Sequence, residues 1–215
     1  MKFLLRWIFL WLAMGISACS SIYYSGLEKI GIPKREVMVH RVEKARDTQQ
    51  ETKRQFKSAL EQFTAVAQFK GGDLETVYGK LNAEYEASVK KADEVNKRIG
   101  DIEDVSEALF SEWETELTQY SNAELRKNSQ QKLLATRQQY KQLLSAMRQA
   151  EAKIKPVLSV FRDQVLFLKH NLNAQAIASL KGQLAGVQTD VSALVAAMEK
   201  SINEADLFIR TMAKP

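Results

Sequence analysis

The sequence predicts an all-α protein, an elongated antiparallel four-helix bundle with coiled-coil-like seams. Three observations support this fold class. Only 3 Pro and 9 Gly occur in 215 residues, and strong helix formers recur along the chain. Apolar residues repeat at alternating spacings of three and four, which is the heptad pattern. Turn signals divide this pattern into four segments, so we expect each chain to fold back on itself rather than to pair in parallel with other copies.

The first predicted helix covers about residues 34–69. It follows Pro33, whose missing N–H is tolerated at a helix start. Its predicted buried seam consists of Met38, Val42, Ala45, Gln49, Thr52, Phe56, Ala59, Phe63 and Val66. Gln49 and Thr52 make the middle of this seam polar.

The second predicted helix follows a Gly71-Gly72 turn and is capped by Asp73. Its seam is Leu74, Tyr78, Leu81, Tyr85, Ala92, Val95, Ile99, Ile102, Leu109, Trp113 and Tyr120. Gly100 and Asp101 lie within this pattern. The sequence leaves open whether the helix is kinked, split or continuous there.

The third predicted helix begins at Ser121, which forms a capping-box pattern with Glu124, while Tyr120 and Leu125 occupy the hydrophobic staple positions. Its seam is Leu133, Thr136, Tyr140, Leu143, Met147, Ala150, Ile154, Val157, Phe161, Val165, Leu168 and Leu172. Pro156 is expected to kink this helix, because its ring clashes with the carbonyl four residues earlier.

The fourth predicted helix is capped by Asn173. Its seam is Ile177, Leu180, Leu184, Val187, Val191, Leu194, Met198, Ile202, Ala205, Phe208 and Met212. At a rise of 1.5 Å per residue the four helices are roughly 55 to 75 Å long. Short turns between them predict an up-down-up-down rod.

The N-terminus has the pattern of a lipoprotein signal peptide. A short basic region, residues 1–6, precedes about ten apolar residues, too few to span a bilayer. Small residues then precede Cys19 in the tetrapeptide ISAC, which resembles a lipobox. We therefore expect a signal peptide at 1–18, a lipidated Cys19 with a tether at 19–33, and one helical bundle domain at 34–215. Ser20 after the cysteine resembles the sorting pattern for the outer membrane, with the protein facing the periplasm.

Composition and motifs argue against several functions. Removing Lys2 and Arg6 with the signal lowers the net charge from +5 to +3, which is too mild to predict nucleic-acid binding. The single cysteine excludes an intrachain disulfide. The sequence contains no phosphate loop, GxSxG elbow, HExxH, EF-hand loop or paired Glu-x-x-His. It predicts no catalytic, cofactor-binding or metal-binding residue, and hence no enzyme.

Individual polar residues have ordinary structural interpretations. His40 is expected on the surface, and His170 in the last turn of a helix, where positive charge is favoured. The acidic stretch of Glu107, Glu112, Glu114 and Glu116 around Trp113 is expected to be a solvated face.

Two charge blocks flank the predicted turn at Ser121. Residues 101–124 contain eight acidic residues and no basic one, and residues 126–155 contain eight basic residues and one acidic. Folding at the turn places the blocks side by side. We expect them to pair with each other and to set the register rather than to form a partner site.

Three segments carry a family resemblance: PKREVMVHRVEKARDTQQ at 33–50, LFSEWETEL at 109–117 and DQVLFLKHNLNAQAIASL at 163–180. With the lipobox, they resemble a family of uncharacterised bacterial lipoproteins catalogued as a domain of unknown function. The resemblance implies no established activity and no site residue. Members are sometimes labelled DNA-repair ATPases, but the absent phosphate loop and the export signal oppose that label.

The leading hypothesis is a non-enzymatic envelope lipoprotein, anchored in membrane lipid through Cys19, that contacts an unidentified envelope protein or a second copy of itself. The alternative is a carrier of lipid or another apolar ligand, with Trp113, Phe110, Phe161 and Phe167 lining a cavity. A third hypothesis is an enzyme that acts on peptidoglycan through the glutamates near Trp113.

Overall fold

In the computed structural model, residues 31–213 are described. They form α1 (Lys34–Ala67), α2 (Leu74–Leu117), α3 (Ala123–Ala152), α4 (Ile154–His170) and α5 (Ala174–Ala213). Within these residues there is no strand, and the all-α prediction is confirmed. Cys19, the predicted signal peptide and most of the predicted tether lie outside the described residues.

Helices α3 and α4 form one interrupted arm of the bundle. The break falls at Lys153, whose N–H donates to the Ala150 carbonyl at 3.2 Å. Pro156 explains the break, because it has no N–H for the carbonyl of Ala152, at which α3 ends. The helix is therefore interrupted where the kink was predicted, and five helices make four arms.

The arms pack antiparallel in a ring, in which α1 neighbours α2 and α5, and the α3–α4 arm closes the other side. All nine predicted seam residues of α1 are buried. They meet seam residues of the other arms in one continuous core. Phe161 of α4 reaches across this core and stacks on Phe56 and Phe63 of α1, with ring centroids 6.5 and 5.7 Å apart.

The turns between arms follow local chemistry. Gly71 and Gly72 have φ values of 144° and 113°, a region that side chains disfavour and glycine tolerates. The Asp73 carboxylate accepts hydrogen bonds from the N–H groups of Glu75 and Thr76 at 3.0 and 3.3 Å. Asn173 accepts from the Ala176 N–H at 3.0 Å. The predicted caps of α2 and α5 are confirmed.

The predicted start of α3 is wrong by one residue. Asn122, not Ser121, caps the helix, and its side chain accepts from the N–H groups of Glu124 and Leu125 at 2.9 and 3.1 Å. An amide oxygen at position 122 reaches both donors, so the capping box of Ser121 is not formed. Leu125 is 55% exposed, which removes the proposed staple with Tyr120.

Helix α2 is continuous across Gly100, which answers the question left open by the sequence. With 44 residues it is about 66 Å long. No helix among residues 31–213 has the length and apolar character needed to cross a membrane.

Candidate functional site

The two ends of the bundle carry different features. At one end α1 begins, α2 meets α3 and α5 ends. We call it the anchor end, because the predicted tether from Cys19 leads to the start of α1. The α1–α2 turn and the α4–α5 loop lie at the other end, called the distal end. Since α1 is 34 residues long, the ends are at least about 50 Å apart.

The predicted charge blocks pair across the α2–α3 contact. Glu114 lies 2.5 Å from Arg137, and Glu103 lies 2.5 Å from Arg148. The hydrogen bond from Arg137 lowers the pKa of Glu114, whereas a general acid needs a raised pKa. Two ion pairs therefore join the blocks as expected, whereas Glu112 of the acidic block pairs with Lys34 of α1 instead.

A cavity of about 770 Å³ opens at the anchor end, between the start of α1, the α2–α3 hairpin and the end of α5. The Lys34 ammonium, on a residue only 7% exposed, lies 2.7 Å from a Glu112 carboxylate oxygen and closes one wall. The Trp113 indole N–H donates to the Ser129 hydroxyl at 2.8 Å, which fixes the ring in the cavity wall.

The four aromatic residues proposed for a ligand cavity do not share one. Trp113 lines the anchor-end cavity, but Phe110 packs edge-on against Tyr140 and Phe161 lies in the core. Phe167 is at the distal end and 38% exposed. The sequence pattern therefore singled out three of the cavity residues, Trp113, Glu112 and Glu116. It missed the polar residues contributed by α3, because their meeting with α2 depends on how far each helix extends.

The distal end carries an apolar patch, which we define as Leu166, Phe167 and Leu172. Their side chains are 52, 38 and 40% exposed, respectively, although each is large and apolar. Asn171 holds the backbone of the patch, since its side-chain amide donates to the Phe167 carbonyl at 3.0 Å. The run Val165 to Leu168 was the available sequence signal, because four successive apolar residues cannot all face one side of a helix.

The histidines lie where the sequence predicts. His40 is exposed, 3.9 Å from Glu43, and His170 is in the last turn of α4. No group of three or more potential metal-ligating side chains occurs in the part of the chain that the structure describes.

A sequence model of the family described as "Protein of unknown function (DUF2959)" matches residues 23–212. The chain belongs to the DUF2959 family. The match spans all five helices, so the suspected membership of an uncharacterised family is confirmed over the whole bundle. Comparisons with curated proteins and with solved structures gave no match to this DUF2959 chain.

Proposed function

We propose that this DUF2959 protein is a lipid-anchored envelope lipoprotein that acts without catalysis, by presenting the distal end of its bundle to another protein. The observation that carries the proposal is the distal patch, at least about 50 Å from the end where the tether enters. Large apolar side chains gathered at one exposed place commonly mark an interaction site. A rod held at one end positions such a patch away from the membrane.

The anchoring part of the proposal rests on the sequence. The charged n-region, the short apolar run and the ISAC tetrapeptide together fit cleavage before Cys19 and acylation of its sulfur. Ser20 favours the inner leaflet of the outer membrane, with the bundle in the periplasm.

The proposal that the protein is not an enzyme rests on the ion pairs of the acidic residues near Trp113. Glu112 is paired with Lys34, and Glu114 with Arg137. Both carboxylates are engaged in ion pairs within the fold, so these two glutamates fit a structural role better than acid-base chemistry on peptidoglycan.

The partner expected at the distal patch is a protein with an apolar recess bordered by carboxylates. The patch supplies the apolar contact, and its border carries Lys169, His170 and Arg162. Of these, Arg162 lies 3.3 Å from Asp163, whereas Lys169 forms no ion pair with another described residue. A carboxylate at the border of the recess would pair with Lys169 and fix the orientation of the partner.

In-cell photocrosslinking tests this proposal. A photoreactive amino acid at Phe167 should give a reproducible adduct with one other envelope protein, and the adduct should disappear when Leu166→Glu is added. The matched control is the same amino acid at Leu134, which is 59% exposed on α3 and lies away from the patch. Equal adducts from both positions, or none from Phe167, would contradict a partner at the distal end.

A further inference from the structure

The anchor-end cavity combines an apolar surface with polar groups of both signs. Its volume of about 770 Å³ falls in the range typical of small-molecule sites, roughly 300 to 1,000 Å³. Leu109 and Met212 lie in its wall and are 7% and 5% exposed. Together with the Trp113 ring they offer an apolar surface to a bound molecule.

Some polar groups of the cavity already have partners within the protein. Lys34 and Glu112 pair with each other, and Arg35 donates to the Met212 carbonyl. These contacts tie the start of α1 to α2 and α5, so they form the wall of the cavity.

Two other polar side chains are available to a ligand. Lys132 and Glu116 line the cavity, and neither side chain forms an ion pair or hydrogen bond with another described residue. The side-chain amide oxygen of Gln139, which also lines the cavity, has no donor but is shielded from solvent. A ligand therefore meets one free cation and one free carboxylate.

We propose that this cavity binds one zwitterionic phospholipid with a primary ammonium headgroup. The ammonium pairs with Glu116, the phosphate pairs with Lys132, and the apolar part lies on Trp113. A purely anionic lipid leaves the Glu116 carboxylate without a cation, so it binds more weakly.

The position of the cavity also favours a membrane lipid. Pro33, Lys34 and Arg35 line it, and they immediately follow the tether from Cys19. If Cys19 is acylated, the cavity is held close to a bilayer. The inference thus rests on the proposed anchoring but not on the distal patch.

Tryptophan fluorescence provides the test. The chain without residues 1–18 contains one tryptophan, Trp113, because Trp7 and Trp11 lie in the signal region. This chain retains the fold, since every core side chain among the described residues lies between Met38 and Met212. Cys19→Ser keeps it soluble and unmodified in the assay.

Short-chain phosphatidylethanolamine, used below its micelle concentration, should shift the Trp113 emission saturably at one lipid per chain. The matching phosphatidylglycerol and the glycerophosphoethanolamine headgroup alone should each bind at least about tenfold more weakly, the effect of one lost charge-assisted contact or of the lost apolar contact. Equal affinity for both lipids, or no saturable shift, would overturn the proposal.

Variants inside and outside the cavity distinguish lipid binding at this site from nonspecific changes in fluorescence. Ala135→Phe places a ring in the cavity and should weaken binding by at least about tenfold, whereas Ala178→Phe, on the exposed surface of α5 near the distal end, should leave it unchanged. Lys132→Glu should weaken phosphatidylethanolamine binding by about tenfold. Unaltered circular dichroism melting of each variant shows that folding is preserved, and wild-type affinity in Ala135→Phe would refute the site.

Discussion

At the scale of single residues, the core of the bundle contains a polar layer. Gln49 is 1% exposed, and neither its amide nitrogen nor its oxygen has a hydrogen-bond partner. The Ser201 hydroxyl is also buried without a partner, while the neighbouring Thr52 hydroxyl donates to the Thr48 carbonyl at 2.7 Å. A buried polar layer of this kind stabilises one register over others at a cost in stability.

Gln49→Leu should therefore raise the free energy of unfolding by about 1 to 3 kcal/mol, because it removes two unpaired buried atoms and keeps the side-chain size. Urea denaturation measures this effect, provided that the dependence of the unfolding free energy on urea concentration is the same in both chains. Gln55→Leu is the matched control. The Gln55 amide donates to a Glu84 carboxylate oxygen at 2.6 Å, so this change should lower stability. A loss of stability in both variants would show that Gln49 has a stabilising partner.

The Asp73 cap predicts a specific pH dependence. Hydrogen bonds from the Thr76 hydroxyl and N–H, and from the Glu75 N–H, lower the pKa of Asp73 below its ordinary value of 3.8. A carboxylate with a lowered pKa stabilises the fold above its ordinary pKa, and this contribution is lost as the pH falls.

Asp73→Asn keeps an oxygen acceptor but does not titrate. Between about pH 5 and pH 3, the melting temperature of the wild type should fall further than that of this variant. Comparing the two chains cancels the contributions of other carboxylates, among them Glu94, whose pKa Lys91 lowers. If the melting temperatures of the two chains changed with pH in the same way, the role assigned to Asp73 would be contradicted.

At the scale of elements, α4 separates a core face from an exposed face. Phe161 is fully buried and stacks on two rings of α1, whereas Phe167 lies six residues later and is 38% exposed. Phe161→Ala should lower the free energy of unfolding by about 3 to 5 kcal/mol. Phe167→Ala should change it by less than about 0.5 kcal/mol.

Thermal or urea unfolding of the two variants measures this contrast. If Phe167→Ala were as destabilising as Phe161→Ala, the distal patch would belong to the core of the fold. If it is neutral but removes the crosslinked partner, the patch is available for binding, as proposed.

The sequence predicted these elements well because each depends on local chemistry. The seams follow from helical periodicity, the turn at Gly71-Gly72 from backbone freedom, and the break before Pro156 from a missing N–H. The start of α3 was missed because Ser121 and Asn122 are both good caps. Which of the two caps α3 depends on which side chain reaches the free N–H groups.

The cavity and the distal patch could be predicted only in part. Lys132, Glu116 and Gln139 come from two helices, and their meeting depends on where α1 and α5 end relative to the α2–α3 hairpin. No local pattern encodes that offset. For the patch, the apolar run around Phe167 was visible, but its exposure depends on the absence of a covering helix at that end.

At the scale of the whole molecule, the proposed lipid anchor joins a bundle whose two ends carry different features. The anchor end carries a cavity suited to a phospholipid, and the distal end carries an apolar patch suited to a protein. The partner proposal assigns the bundle the role of a spacer, and both proposals place its start at the membrane. Acylation of Cys19 is therefore the claim on which both depend.

The mass of the intact protein, extracted from native membranes in detergent, tests this claim most directly. We expect a chain that begins at Cys19 and carries at least a diacylglycerol, and we expect the Cys19→Ser variant to keep residues 1–18. A chain that still carries residues 1–18 and an unmodified Cys19 thiol would contradict acylation.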